Sequence, residues 1–250
     1  MYQETSTARR PRKPRAPRTS PRPAALGRLP EWARPLTSRT AWMKRIQDRV
    51  RVGYVRWVGG EIEPDRWPAL ALKLDGLYHT RRTTKQRHRA RAKGIGSAML
   101  IAYYDARAQM VRWILQVSGV GIHPALSMEA NMRDATTREG RVVLPAMGYE
   151  LVRLDGKWTW RMTELHRGAW HSRMRRAASH PDPDSAGMLA RQIVWSLSRV
   201  PGFSGIRRDA FALRGRLLRE WRRLRAKADM RLLPLRPWPR IGYARRIKST

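Results

Sequence analysis

Across 250 residues, 53 Lys plus Arg stand against 19 Asp plus Glu, a formal charge of +34 carried mostly by arginine. Such a charge repels itself in a compact chain and is relieved by a polyanion, so nucleic acid is the expected partner; arginine's planar fork suits phosphate and base better than lysine's point charge. Cys is absent, which excludes disulfides, cysteine-based zinc sites and thiol nucleophiles, and no apolar run approaches the roughly 18 residues that read as a membrane span, so a cytoplasmic protein with no membrane partner is expected.

Residues 1–36 alternate Arg or Lys with Pro. Proline removes donors and blocks helix, so this segment reads as an extended basic tail, either solubilising or an arm that folds along RNA or DNA. Residues 37–162 read as an α+β core. Thr37 or Ser38 can cap a short helix, TAWMKRIQDR, that runs directly into a strand over Arg49 to Val58, where Val50, Val52 and Tyr54 alternate with charged or small residues. Gly59-Gly60 then turns the chain, and Ala69 to Leu74 reads as a short strand or an apolar lead-in.

The stretch from His79 to Lys93 carries Arg81, Arg82, Lys85, Arg87, Arg89, Arg91 and Lys93, with no acid between Asp75 and Asp105. No apolar stripe at either period supports folding by burial, so it reads as a loop, and a loop this repulsive points to phosphate contact. Ser97 to Tyr104 and Gln109 to Val117 form a hairpin around Asp105-Ala106-Arg107-Ala108. A brief helix follows within Pro124 to Arg133, then strands over Gly140 to Leu144, Tyr149 to Leu154 and Lys157 to Met162. Asp155-Gly156 between the last two is the most specific turn signal in the chain. Trp158 and Trp160 fall on one side of the last strand and read as packing residues first, a base-stacking platform second.

Residues 163–232 read as a basic helical subdomain. Thr163 to Ala178 is a basic helix, and Asp184 or Ser185 caps another whose stripe includes Leu189, Ile193 and Leu197. In Arg207 to Ala228, Ala210, Leu213, Leu217, Trp221, Leu224 and Ala228 recur at helical steps and can dock on a core. Arg208, Arg216, Arg219, Arg222, Arg223 and Arg225 occupy the flanks and the far side, offset only by Asp209 and Glu220. Like charges at such spacing repel, so the arginine face reads as a phosphate-binding wall. Residues 233–250 are proline-rich up to Ile241 and read as a basic segment returning to the core.

The six His stand at 79, 88, 123, 166, 171 and 180, without HExxH spacing. Acids lie close together in Glu61-Ile62-Glu63 and Asp182-Pro183-Asp184, both turn-like. No metal site or cofactor is expected, and a metal-dependent nuclease is disfavoured. Metal-independent cleavage of RNA remains, in which the substrate's 2′-hydroxyl attacks the adjacent phosphate. Such a reaction needs in-line positioning, cations for the developing charge and a path for a proton. Arginine supplies the cations, and His79, His88, Tyr78 or Tyr103 are candidates to move the proton.

An α+β core of short strands, a basic helical appendage, arginine-rich ends and the lack of cysteine together resemble the repeat-cleaving endoribonuclease of type IV CRISPR systems. The resemblance covers residues 37–250 in architecture. It implies a ferredoxin-like or RRM-like antiparallel sheet core with a basic helical appendage. It also implies an enzyme that binds a repeat stem-loop, cuts precursor guide RNA and stays on the product beside other subunits of an RNA-guided complex. Arginines stand in for a catalytic histidine in that branch, and by region they correspond to Arg22, Arg39, Arg240, Arg245 and Arg246, while no single histidine takes an obvious catalytic place. Ile241-Gly242-Tyr243 offers one glycine where the wider group has a glycine-rich loop. The rival expectation is a non-catalytic nucleic-acid-binding protein, such as a plasmid transfer or replication accessory or a structural RNA-binding protein, which uses the same charge without cleavage geometry.

Overall fold

The computed structural model describes residues 23–225, 227–233 and 241. After a single helical turn, α1 (Ala24–Gly27), the first long helix is α2 (Arg39–Arg51), opened by Ser38, whose hydroxyl accepts the amide of Ala41 at 3.3 Å. The cap falls where the sequence places it, but the helix runs further. Val50 completes an apolar stripe with Trp42, Met43 and Ile46, all at most 2% exposed, so the alternation over Val50 to Tyr54 divides between the last turn of a helix and the turn that follows it, and does not start a strand. Strand β1 (Arg56–Ile62) begins later and passes through Gly59 and Gly60 without turning.

Ala69 to Leu74 belongs to a helix, α3 (Trp67–Tyr78), because Pro68 suits a helix's first turn and Trp67, Ala71, Leu74 and Tyr78 form one buried face. The basic stretch expected as a loop contains α4 (Thr84–Ala92). Its residues are good helix formers, and Thr83 and Gln86 make a reciprocal capping box that satisfies two amides, so a short helix forms with only Ala90 buried.

The hairpin is present as β2 (Ala98–Asp105) and β3 (Met110–Val117), its loop held by the Asp105 carboxylate accepting the amides of Arg107 and Ala108. After α5 (Ala125–Met128), the short β4 (Arg133–Asp134) returns beside β1. The sheet is antiparallel in the order β4-β1-β3-β2, with helices between β1 and β2 and between β3 and β4. That is the split βαβ arrangement of a ferredoxin-like fold.

A second antiparallel sheet follows, β5 (Val143–Leu144), β6 (Tyr149–Leu154) and β7 (Lys157–Met162), the last two joined as expected by Asp155-Gly156 with φ of +50° and +75°, the twist of a tight hairpin turn. Three longer helices follow: α6 (Glu164–Ala178), α7 (Pro183–Leu197) and α8 (Ser204–Leu224). Asp182, not Asp184 or Ser185, caps α7 by accepting the Ser185 amide at 2.8 Å, since Pro183 already occupies the first helical position. The docking stripe on α8 holds as far as Leu224: Ala210, Leu213, Leu217 and Trp221 are buried and Leu224 lies at its exposed end, but the backbone turns extended at Arg225, so Ala228, read as the stripe's last member, falls in a separate 3-10 turn (Lys227–Leu232).

The two sheets share a core through α2. Trp42 donates to the carbonyl of Ile101 in the first sheet, while Trp160 in β7 donates to the carbonyl of Met43 and Gln47 donates to Trp158. The same apolar cluster continues into α6, α7 and α8. Each fully buried stripe residue of α2 contributes about 1.5–3 kcal/mol, so this helix is the main link between the halves. Trp160 is thus core, while Trp158 is half-buried against it.

The amino end of α8 is pinned against β7. Thr159 Oγ1 accepts the Gly205 amide at 3.1 Å, and Asp209 accepts the Met162 amide at 2.7 Å. A Cβ on Gly205 would lie 2.5 Å from the Trp160 carbonyl oxygen, so only glycine permits this approach.

Candidate nucleic-acid interface

In RRM-type domains the open sheet face stacks bases on aromatic side chains. Here that face is occupied by α2. Trp42 stacks on Tyr103 with ring centroids 5.6 Å apart, and the buried amide of Gln116 donates to the carbonyls of Ile46 and Tyr54. Arg112 on the same face pairs with Glu61 and Asp105 and is largely buried. The α3 side packs the other face. The first sheet therefore offers no open aromatic face, and the helices and the seams between them are candidate surfaces.

One such seam lies between α6 and α8. His171, Arg175 and Arg176 from α6 and Arg216 from α8 line a cleft of about 470 Å³, with Ser172 and Ser179. Glu220 is the carboxylate at this seam, 3.6 Å from Arg216 and 2.7 Å from Arg223. The four cationic or titratable side chains outnumber it, and Arg216 Nε is buried without a partner. Burial, then the fields of Arg216 and Arg167, lower the His171 pKa, so the imidazole is neutral near pH 7 and gains a proton most readily when an anion enters.

Along α8, Arg219 and Arg222 are exposed with no carboxylate partner among the described residues, while Arg208 pairs with the exposed Asp155 at 3.5 Å. Arg225 turns inward instead: 8% exposed, it pairs with Asp229, donates to the His180 carbonyl and lies over the Trp221 ring. It closes the core and is not part of the outer face.

The basic cluster on and before α4 also divides. Lys85, Arg89, Arg91 and Lys93 are exposed, with no carboxylate partner among the described residues, and Arg82 donates to the Gly96 carbonyl at 3.5 Å. Arg81 is held at 2.6 Å by the buried Asp75 and sits over Trp32 at 4.9 Å, which assigns it to the fold. Arg87 is half-buried beside Arg49, with one nitrogen donating to the Thr80 carbonyl.

Comparison with family models, curated proteins and solved structures finds no match.

Of the candidate catalytic residues, Arg22, Arg240, Arg245 and Arg246 lie outside the described residues. Arg39 lies inside them, at the first position of α2, where α2, β2, β6 and α6 converge. Its guanidinium carbon is 5.9 Å from the Tyr149 ring centre, and it bears electrostatically on Tyr103 and His166 as well. Tyr149 and His166 meet edge to face at 5.7 Å, and a Cβ on Gly148 would fall 2.4 Å from the imidazole, so the neighbouring glycine lets the ring seat. His166 Nε2 accepts from the Trp170 indole at 3.2 Å, which puts the proton of the neutral ring on Nδ1. Burial, then Arg173 and Arg39, lower its pKa. Burial raises the pKa of Tyr103 and Tyr149, so both keep their protons at neutral pH.

The other proton-moving candidates lie elsewhere. Tyr78 is buried and donates to Glu129 at 2.6 Å; burial and that carboxylate push its pKa up to about 12, which makes it a structural hydrogen bond and not a proton shuttle. His79 is exposed in a left-handed conformation at the end of α3, and His88 is exposed on α4. Neither joins the Arg39 group. No cluster of three His, Asp or Glu among the described residues is arranged to hold a metal ion, and no described helix is long and apolar enough to cross a membrane.

Proposed function

We propose that this chain grips the stem of a hairpin RNA and cuts at its base by attack of the RNA's own 2′-hydroxyl, in the manner of the type IV CRISPR repeat endoribonuclease its sequence resembles. The observation that carries the reading is Arg39, a half-buried guanidinium without a carboxylate partner among the described residues, set beside Tyr149 and His166 and flanked by arginine-lined helices. A cation there stabilises charge developing on the scissile phosphate. As the 2′-oxygen bonds to phosphorus and the bond to the departing oxygen breaks, the 2′-hydroxyl proton passes to water and the Nδ1 proton of His166 goes to the departing oxygen, while the flanking arginines supply binding. The ferredoxin-like sheet fits the same group of RNA-processing proteins. After cleavage the stem keeps its phosphate contacts, which favours retention of the product within an RNA-guided complex.

A-form RNA hides its base edges in a deep, narrow groove, so recognition of a stem runs through phosphates and shape, the features that clefts of arginine read. Titrating a stem-loop RNA and a DNA duplex of equal charge at several salt concentrations tests the binding half. The reading expects the RNA to bind at least about tenfold more tightly at matched salt, and equal affinities with equal salt slopes would contradict it. The non-catalytic reading draws on one observation of its own: Tyr149 is only 4% exposed and His166 Nε2 is already engaged by Trp170, an arrangement that also serves packing.

A further inference from the structure

Between the carboxy-terminal end of α2 and the outer side of α4 lies a second cleft, of about 230 Å³, which the stem-binding surfaces do not use. Its walls differ in kind. Arg49, Arg87, His88 and Arg91 supply one, while Val52, Ile95 and Val120 supply an apolar one; these three stand 52%, 41% and 58% exposed although they are large and hydrophobic. Tyr54 lies between them.

Arg87 is the unusual member. Its Nε is buried and has no partner, burial lowers its pKa against an opposing effect of Tyr54, with Arg49 adding to the lowering, and no carboxylate pairs with it among the described residues. A desolvated guanidinium facing a like charge costs folding energy, and an anion bound in the cleft removes that cost. The apolar wall needs a different occupant. A duplex keeps its base faces stacked and hidden, so only a base outside the stack can cover Val52, Ile95 and Val120. The volume, below the roughly 300–1,000 Å³ of ordinary ligand pockets, suits a single nucleotide.

We infer that this cleft is a pocket for one unpaired nucleotide, with the phosphate on Arg49 and Arg87 and the base against Val52, Ile95 and Val120. The inference rests on the nucleic-acid reading above and adds a site that reads the single strand flanking a stem. It also gives the two basic regions different roles, since the α6–α8 surface takes duplex phosphates and the α4 cleft takes a nucleotide beyond the duplex.

The test uses the full-length protein and calorimetric titration with adenosine and uridine 5′-monophosphates, inorganic phosphate, and a glutamate-rich peptide. A mononucleotide should bind at one site about tenfold more tightly than inorganic phosphate, the factor that about 1.4 kcal/mol of base burial supplies. Arg87→Met should weaken it by about tenfold or more while leaving the melting temperature unchanged or raised, because the substitution removes a buried charge and keeps the side chain's bulk. Arg199→Gln, which removes a charge at the end of α7 outside the cleft, should leave nucleotide binding as it is.

Equal binding of phosphate and mononucleotide would overturn the inference, since the apolar wall would then have no role. Unchanged binding in Arg87→Met would overturn it too, as would equally tight binding of the acidic peptide, which would mark the cleft as a protein contact. If stem-loop RNA binds but mononucleotides do not, the pocket fails and the RNA reading stands. Arg87-dependent mononucleotide binding without stem-loop affinity has the reverse meaning.

Discussion

Replacing Arg219, Arg222 and Arg223 together by Gln should weaken binding to stem-loop RNA most at low salt and barely disturb the fold. Arg219 and Arg222 are exposed without carboxylate partners among the described residues, whereas Arg223 is shared with Glu220 at 2.7 Å. Each phosphate contact contributes about 0.9 to the slope of log K against log salt for a duplex, so three full contacts amount to about 2.7. Arg223 contributes less than a full contact because Glu220 already neutralises part of it, and the expected flattening is about 2 to 2.7. Between roughly 50 and 200 mM salt this shrinks the variant's affinity deficit by about 15- to 40-fold. The three side chains stand three and four residues apart or adjacent on one helix face, so their removal relieves repulsion of a few tenths of a kcal/mol per pair, and the melting temperature should hold or rise slightly. Fluorescence anisotropy over a salt series, with calorimetric melting alongside, measures both. An unchanged salt slope would refute the placement of RNA on α8, and a large fall in melting temperature would show these arginines to be structural.

The Gly205→Ala substitution places a methyl group 2.5 Å from the Trp160 carbonyl oxygen, which is backbone and cannot swing aside; a loss of about 1–3 kcal/mol by denaturant unfolding is expected, with α8 shifted away from β7. His123, His166 and His171 all have pKa values held below the ordinary value by burial first. The unfolded chain therefore binds protons near pH 6.5 that the folded chain binds only at lower pH, so stability is fully present above that point and is lost as pH falls below it. Thermal melts from pH 8 to pH 5 should show this decline, and His123→Gln, at a buried site outside the interface, should make it shallower.

Local chemistry explains which parts of the fold are readable in the chain. The Asp155-Gly156 turn, the β2–β3 hairpin and the α8 stripe each carry their signal within a few residues. The errors arise where tertiary contact outweighs the local pattern. Ala69 to Leu74 alternates like a strand, yet Trp67 and Tyr78 on either side complete a helical face covered by β2 and β3 together with Leu26, Ala33 and Ala125. The 79–93 segment lacks an apolar stripe because α4 is held by its capping box and one alanine, not by burial. The candidate interface divides the same way. The arginines of α8 announce themselves by number, and the spacing of His171 and Arg175, one helical turn apart, offers a signal for the α6 wall that charge counting passes over. Tyr149 and His166 carry no such signal, since they become a site only when β6 and α6 bring them to Arg39. Arg81 and Arg225 show the opposite error: each is as basic as its neighbours, and contacts distant from the local pattern, Asp75 and Trp32 for one and Asp229 and the His180 carbonyl for the other, mark them as parts of the fold.

The proposed cleavage of RNA by its own 2′-hydroxyl beside Arg39 calls for incubating the protein with end-labelled stem-loop RNA in excess chelator. The account predicts a single cut at the base of the stem, a product ending in a 2′,3′-cyclic phosphate, loss of cutting in Arg39→Gln with stem-loop affinity retained, and complete protection by a 2′-deoxy substitution at the scissile nucleotide. Cutting that survives the 2′-deoxy substitution, or no cutting while the stem-loop is fully bound, would contradict it.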